Sequence, residues 1–185
     1  MLFLRPHGSA TDAELVDLVA QGSESAFKEL LTRYQKDVYQ LICRFLRDTS
    51  EAEDITQETF LRLFRAADRY LPQASLRTFL FRIAKNLCID FIRKKKPEPV
   101  EELPETATQE TPLCCLERAQ SSEMLIHYIN ELPENQRMAI LLRHTSGLCY
   151  QEIAEVMGVT VSAVESLLVR ARKTLKKRMR TIFQT

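Results

Sequence analysis

Residues 150–169 read YQEIAEVMGVTVSAVESLLV, and this stretch decides the fold of the second half of the chain. Two helices that cross at a short turn need a small residue where they touch, and Ala154 supplies it. The turn needs a residue that tolerates a positive φ, which is Gly158. Val164 is β-branched and would fill the gap from the second helix, whose start Thr160 is placed to cap. The spacing of these residues predicts a helix-turn-helix.

Basic residues dominate the continuation of that second helix. After Val164 the only acid is Glu165, and a run of cations follows it. Such a run is often only a solvated helix face, and an ordinary helical hairpin is the alternative fold. On a recognition helix, however, these cations lie where phosphate contacts are made, so the pattern favours DNA binding. The cations are Arg170, Arg172, Lys173, Lys176, Lys177, Arg178 and Arg180.

The first half of the chain reads as a succession of amphipathic helices. Apolar residues recur at helical spacing from residue 27 to 45, from 55 to 67 and from 76 to 92. Thr11 and Ser50 each open a capping box, a pattern that starts helices. We predict a helical bundle with an aromatic core. The side chains expected to point inward from the last two helices are Ile55, Phe60, Leu63, Phe64, Ala67, Leu76, Phe79, Leu80, Ile83, Leu87, Phe91 and Ile92.

Prolines and acids cluster between the two halves. Pro97, Pro99, Pro104 and Pro112 lie among glutamates and threonines, a composition that buries too little apolar surface to order itself. We therefore expect a flexible acidic linker over residues 97–117, joining two DNA-reading domains that fold independently at 11–96 and 118–182. No Gly occurs between Gly22 and Gly147, which argues against a hairpin-rich β protein. The predicted fold class is all-α, with two small helical domains.

The composition indicates the cellular compartment of the protein but does not indicate its binding partner. Lys and Arg number 26 and Asp and Glu 25, so net charge says nothing about nucleic-acid binding. The apolar start of the chain stops at Arg5-Pro6, too early for a signal sequence or a membrane span. Five scattered cysteines suggest a reducing compartment. We expect a cytoplasmic protein without membrane insertion, monomeric when free.

Residues of catalytic or metal-binding type form no pattern that supports an enzyme. Cys114, Cys115, Cys149, His127 and His144 match no zinc-binding spacing. No nucleophile–base pair and no Gly-rich phosphate loop is recognisable. We therefore expect no catalytic activity, no cofactor and no metal.

The helix after residue 50 carries an acidic face. Asp54, Gln57 and Glu58 are spaced i, i+3 and i+4, so they share one side of the helix. Acids near a helix N-terminus are also favoured by the helix dipole. From the pattern alone, a partner-binding face and a well-capped surface helix are equally supported.

A second helix, from Ser75 to Lys96, combines cations with aromatic residues. Phe79 and Phe81 lie between its basic residues, and Tyr70 precedes it. Cations for phosphates, with aromatics and an amide for bases, suit opened, single-stranded DNA. The alternative is a solvated face with the phenylalanines in the core, which we favour for Phe79. The polar residues concerned are Arg77, Arg82, Lys85, Asn86 and Arg93 to Lys96.

Three ordered motifs together resemble the bacterial sigma factors of RNA polymerase. DITQETFLRLF at residues 54–64 resembles their polymerase-binding helix, and LFRIAKNLCID at 80–90 resembles the helix that reads the minus-ten promoter element. LPENQR at 132–137, YQEIA at 150–154 and VRAR at 169–172 resemble the domain that reads the minus-thirty-five element. The short layout points to the extracytoplasmic-function class.

The resemblance implies partners and roles for matching positions. The partners are core polymerase (clamp helices of the largest subunit and flap of the second-largest), promoter DNA and, for many relatives, an anti-sigma factor. The loop from Tyr70 to Ser75 would pocket a flipped base. The residues implied to bind polymerase are Asp54, Gln57, Glu58 and Leu61. The residues implied to contact the minus-ten element are Tyr70, Ser75, Arg77, Arg82, Lys85, Asn86, Arg93 and Lys94. The residues implied to contact the minus-thirty-five element are Ser162, Glu165, Ser166, Val169, Arg170, Lys173 and Lys177.

Some positions depart from the family pattern. Phe79 stands where many relatives carry tryptophan, and Glu165 and Leu167 stand where a basic residue is frequent. These departures bear on which bases are read. The alternative function is a stand-alone helix-turn-helix regulator, which would share the second half but leaves the Asp54, Gln57 and Glu58 face unexplained.

Overall fold

A computed structural model describes residues 10–70, 75–95 and 124–182, and side chains as far as residue 179. Within these ranges the regular structure is helical and no strand occurs, which confirms the all-α prediction. The predicted linker, 97–117, lies outside the described residues. The helices are α1 Asp12–Ala20, α2 Glu24–Leu46, α3 Thr49–Ala66 followed by a 3₁₀ turn Ala67–Arg69, α4 Leu76–Lys95, α5 over residues 124–130, α6 Glu134–His144, α7 Tyr150–Met157 and α8 Val161–Ile182.

Local capping sets the start of the early helices. Thr11 forms the predicted capping box: its hydroxyl accepts from the Glu14 amide at 3.3 Å, and the Glu14 carboxylate accepts from the Thr11 amide at 2.7 Å. The capping box predicted at Ser50 is wrong, because α3 begins at Thr49 and Asp48 caps it. Arg47 ends α2 in the left-handed conformation, with φ 61°, and Asp48 is the first extended residue after that turn. The Asp48 carboxylate accepts a hydrogen bond from the Glu51 amide at 3.2 Å.

Helices α1 to α4, which we call the N-terminal domain, pack around a core of large side chains. Phe45 and Phe81 are both fully buried in it. Six inward predictions need correction. Phe64 is 49% exposed, because it lies at the edge of the bundle against Phe27, with ring centroids 5.6 Å apart. Five residues of α4 that were predicted to point inward are only half-buried, since α4 turns the stripe of Leu80, Phe81, Ala84 and Cys88 fully inward. The five are Phe79, Ile83, Leu87, Phe91 and Ile92.

Helices α5 to α8, the C-terminal domain, contain the predicted helix-turn-helix. Gly158 ends α7 in the left-handed conformation, with φ 69°, and its amide donates to the Ala154 carbonyl at 2.8 Å. The Thr160 hydroxyl accepts from the Ala163 amide at 3.2 Å, which is the predicted cap of α8. Ala154 and Val164 are both buried where α7 and α8 meet. These observations confirm the turn, the cap and the packing positions.

The two domains contact each other directly. Helix α7 packs on α4, and α6 packs on α2. Across this contact the Arg44 guanidinium donates to the Thr145 hydroxyl at 2.8 Å. The Arg137 guanidinium lies over the Phe45 ring, 4.5 Å from its centroid. We call these four residues the interdomain contact.

Backbone conformation at Gly158 predicts a specific order of stabilities. An added Cβ would meet no atom within 4 Å, so substitution there strains only the backbone. Gly158→Ala should lower the free energy of unfolding by about 1 kcal/mol, because alanine disfavours the left-handed region. Gly158→Asn should cost less, since asparagine tolerates that region. Urea unfolding followed by circular dichroism measures both, and equal losses for Ala and Asn would contradict this account.

Candidate polymerase-binding and DNA-binding surfaces

The outer face of α3 combines acids with apolar surface. Asp54 and Gln57 are exposed, Glu58 is half-buried, and Leu61 follows them one turn later at 41% exposure. The Glu58 carboxylate accepts from the Arg62 guanidinium at 2.9 Å, and this hydrogen bond lowers the pKa of Glu58. Helix α3 can present this face because its opposite side is buried. The buried side consists of Ala52, Ile55, Thr56, Thr59, Phe60 and Leu63.

A groove runs beside this face. It encloses about 470 Å³ between α2 and α3, with Gln57 at its rim and Leu31 and Tyr39 on the α2 side. Phe64, which the sequence pattern assigned to the core, extends the apolar part of the α3 surface beyond Leu61. An acidic face that merges into exposed apolar side chains is suited to binding another protein rather than DNA.

Helix α4 presents most of its predicted DNA-binding residues to solvent. Arg82, Asn86, Arg93 and Lys94 are exposed, whereas Lys85 is half-buried and its ammonium donates to the Asn86 amide oxygen at 3.0 Å. Burial lowers the pKa of Lys85, and the neighbouring Arg93 charge adds to the effect. The Lys85 hydrogen bond holds the Asn86 amide in one orientation on this surface.

Arg77 differs from the other cations of α4. Its guanidinium forms an ion pair with Asp37 of α2 at 3.1 Å and lies over the Phe81 ring, 5.2 Å from the centroid. These contacts attach the start of α4 to α2. Just before it, the Ser75 hydroxyl accepts from the Thr78 amide at 3.1 Å, so the first turn of α4 is also fixed.

A small aromatic cluster lies beside the start of α4. Tyr70 and Phe79 pack edge to face with centroids 5.1 Å apart, and the Arg82 guanidinium lies 5.5 Å from the Phe79 centroid. Of the loop predicted to pocket a base, Tyr70 to Ser75, residues 71–74 lie outside the described ranges. Half-buried aromatic rings beside a cation are the surface on which an unpaired base stacks.

Helix α8 has one buried face and one exposed face, and the exposed face carries the residues predicted to read DNA. Val164, Leu168, Ala171 and Leu175 point into the C-terminal domain. Val169 is 60% exposed, which is high for an apolar side chain on an otherwise polar face. The remaining residues of this face are Ser162, Glu165, Arg170, Lys173 and Lys177, all exposed, and the half-buried Ser166.

One cation of the basic run, Arg178, makes contacts within the protein rather than pointing freely into solvent. Arg178 forms an ion pair with Glu131 and lies over the Tyr128 ring, so it ties α8 to the segment around α5. Sequence reasoning placed Arg178 with the phosphate-binding residues, because nothing in the local pattern distinguishes it from Lys176 or Lys177. It also missed Arg44, Arg137 and Thr145, whose contacts join residues far apart in the chain.

The cysteines occupy unrelated positions. Cys88 is buried in α4, and burial raises the pKa of its thiol to about 12. Cys43 is half-buried and Cys149 exposed, while Cys114 and Cys115 lie outside the described residues. Within the described ranges no cluster of metal-ligating side chains occurs. No helix in the same part of the chain is long and apolar enough to cross a membrane.

Two family models match the chain. Sigma-70 region 2 matches residues 30–98, and Sigma-70 region 4 matches residues 122–175. The RNA polymerase sigma-H factor of Pseudomonas aeruginosa is 31% identical, over 94% of this chain and 96% of its own. The ECF RNA polymerase sigma factor SigW of Bacillus subtilis is 31% identical, over 89% of this chain and 94% of its own.

Two solved structures share the fold. The structure of CnrH in complex with the cytosolic domain of CnrY has a TM-score of 0.70 and 25% identity, covering 92% of this chain and 97% of that one. The sigma factor RpoE in complex with the anti-sigma factor NepR, from Bartonella quintana, has a TM-score of 0.64 and 22% identity, covering 83% of this chain and 96% of that one.

The contacts of Arg77 predict that it anchors α4. Arg77→Ala should lower the free energy of unfolding by roughly 1 kcal/mol, because it removes a partly exposed ion pair and a cation–π contact. Arg82→Ala, on the same helix but on its exposed side, should cost clearly less. Thermal and urea unfolding of the two variants measure the difference. If Arg77→Ala is as stable as the unmodified protein, the anchoring role is wrong.

Proposed function

The chain belongs to the sigma-70 family of bacterial transcription initiation factors, in its extracytoplasmic-function class, and from this premise we propose which surface performs each step. A protein of this family binds RNA polymerase core enzyme and directs it to start transcription at particular promoters. Sigma factors are initiation factors rather than catalysts. The proposal rests on one observation: helices α3, α4 and α8 each leave a distinct face exposed. The α3 face is mixed acidic and apolar, the α4 face is basic and aromatic, and the α8 face carries Val169 among polar and basic side chains.

Core polymerase binds the outer face of α3 in this proposal. Asp54, Gln57, Glu58 and Leu61 meet the clamp helices of the largest subunit. The supporting observation is the exposed side chain of Leu61 beside hydrogen-bonding groups, a combination typical of protein interfaces. The hydrogen bond from Arg62 lowers the pKa of Glu58, so it favours the ionised carboxylate on this face. The C-terminal domain would contact the flap of the second-largest subunit.

The minus-ten element is read and opened at α4. Arg82, Arg93 and Lys94 neutralise phosphates, while Asn86, oriented by Lys85, contacts an unpaired base. Tyr70 and Phe79 provide the stacking surface beside the loop that ends at Ser75. Arg77 contributes by holding the start of α4 against Asp37 rather than by reaching DNA.

The minus-thirty-five element is read by α8 in the major groove. Arg170 donates to a guanine edge, Val169 contacts a thymine methyl group, and Glu165 accepts from a base amino group. The Glu165 side chain forms no hydrogen bond or ion pair within the described residues, so its carboxylate is available to a base. Ser162 and Ser166 lie on the same face, and Lys173 and Lys177 contact phosphates.

The proposal also covers where the protein acts and what inhibits it. The protein acts in the cytoplasm as a monomer when free, without catalytic activity, metal or cofactor of its own. Because RpoE of Bartonella quintana was solved with an anti-sigma factor, we propose a protein inhibitor of that kind for this chain too. A stand-alone regulator has no use for a polymerase-binding face, and the match to Sigma-70 region 2 over residues 30–98 disfavours that alternative.

The α3 face can be tested with core enzyme alone. A Gln57→Ala, Glu58→Ala double variant should bind core polymerase about 30-fold more weakly, since losing an interface hot spot costs ~2 kcal/mol. Helical content should not change. Glu24→Ala, an exposed acid on α2, is the matched control and should bind normally. Core affinity equal to that of the control would overturn the assignment of this face.

Two cations of α8 should differ in what they recognise. Arg170→Ala should flatten promoter preference at one or two base pairs, because a bidentate contact to guanine is worth ~1–3 kcal/mol against the wrong base. Lys176→Ala should weaken all promoters alike and lower the salt dependence of binding by roughly one unit of slope. Transcription from a randomised minus-thirty-five element at two salt concentrations measures both. A uniform loss with Arg170→Ala would make Arg170 a phosphate contact.

A further inference from the structure

A polar network joins the first turn of α1 to α2. The Asp12 carboxylate accepts hydrogen bonds from the Arg33 guanidinium at 3.1 Å and from the Tyr34 hydroxyl. The Arg33 guanidinium also donates to the Ala10 carbonyl at 3.0 Å and to the Glu29 carboxylate at 2.9 Å. One arginine of α2 therefore holds both the backbone that precedes α1 and a side chain within it.

Water reaches this network only in part, so its hydrogen bonds are stronger than those of an ordinary surface pair. The side chains of Asp12 and Arg33 are 32% and 25% exposed. Burial raises the pKa of Tyr34, and the hydrogen bond to Asp12 adds to the effect. Helix α1 has nine residues, too few to be stable alone, so its place depends on these contacts and on its buried apolar side.

Helix α1 also packs on the 3₁₀ turn Ala67–Arg69, which leads directly to Tyr70. Ala67 is buried, and its carbonyl accepts from the Tyr70 amide at 3.4 Å. Burial raises the pKa of the Tyr70 phenol, and the Asp12 charge adds to the effect. The carboxylate that fixes α1 therefore lies near the tyrosine at the end of the turn.

Tyr70 is supported from a second side by α4. Its ring packs edge to face on Phe79, with centroids 5.1 Å apart. An aromatic ring stacks on an unpaired base more tightly when the ring is already fixed, because less side-chain freedom is lost on binding. Contacts from α1 on one side and from α4 on the other restrict the Tyr70 ring in this way.

We propose that Asp12 is a positioning residue for the reading of the minus-ten element. It holds α1 on α2, α1 supports the turn before Tyr70, and the Tyr70 ring is thereby kept in place to stack an unpaired base. The proposal rests on the assignment of Tyr70 to base stacking made above. Asp12 does not contact DNA itself, since its negative charge would repel phosphates.

A simpler role for Asp12 makes a different prediction. Asp12 lies in the first turn of α1, where the helix dipole favours an acid whatever its hydrogen-bond partners. If that were its whole contribution, its loss would weaken binding of single-stranded DNA to the same extent with or without the Tyr70 ring. A positioning role acts through Tyr70, so substitutions at the two positions must be coupled.

A double-mutant cycle on the protein bound to core polymerase tests this coupling. The probe is a labelled single-stranded oligonucleotide that carries the minus-ten sequence of a promoter mapped with this protein. Asp12→Ala should bind the probe about fivefold more weakly, because part of the base stacking is lost. In a Tyr70→Ala background the same substitution should change the affinity by less than about twofold.

Two further variants serve as controls. Asp12→Asn keeps polar atoms for both Arg33 and Tyr34, so it should bind the probe nearly as the unmodified protein does. Asp17→Ala removes an exposed acid from the same helix, so it measures the effect of charge alone and should not weaken binding. The Asp12 and Asp17 variants should bind core polymerase with unchanged affinity, which also shows that they are folded.

The outcomes are distinguishable. The positioning role would be overturned if Asp12→Ala caused no loss, or an equal loss with and without the Tyr70 ring. An Asp12→Asn variant as weak as Asp12→Ala, or a loss of core affinity in either, would also contradict it. If Tyr70→Ala alone binds the probe as well as the unmodified protein does, the assignment of Tyr70 to base stacking fails, and the positioning role fails with it.

Discussion

Each long helix of this protein must bury one face, and that requirement fixes where the other face points. In α3 the burial of Ile55, Phe60 and Leu63 leaves Gln57 and Leu61 outside. In α8 the burial of Val164 and Leu168 leaves Val169 and Arg170 outside. A slip of one residue in either helix would turn an apolar side chain outward and a polar one into the core, at a cost of several kcal/mol. The positions of the side chains proposed to bind polymerase and DNA are therefore set by packing.

The contact between the two domains has a larger polar share than the packing inside each domain. Inside each domain, large apolar side chains such as Phe81 and Leu142 are fully buried. Across the interdomain contact, an exposed hydrogen bond from Arg44 and a half-buried Arg137 stand beside the apolar packing of α4 on α7. Surface hydrogen bonds and cation–π contacts are each worth only about 1 kcal/mol.

Local sequence signals predicted most of what is local in the structure. Ala154, Gly158 and Val164 determine the helix-turn-helix within fifteen residues of chain, so their spacing alone was sufficient. The start of α3 was misplaced because the left-handed turn at Arg47, which makes Asp48 the cap, has no signature in a non-glycine residue. Phe79 and Phe81 could not be sorted by period, since α4 packs on α2, α3 and α7 and its buried stripe is wider than a single-sided helix would show. The roles of Arg77 and Arg178 depend on distant partners, Asp37 and Glu131, and only the structure brings these together.

The proposed function is that one chain brings polymerase to DNA and selects the start site through two separate reading helices. It is tested most directly by transcribing a library of random templates with purified core enzyme, with and without this protein, and sequencing the 5′ ends of the transcripts. The account predicts new 5′ ends only when the protein is added, each downstream of two short shared sequences at a nearly constant spacing. The same set of 5′ ends with and without the protein, or new ends that share only one upstream sequence, would contradict it.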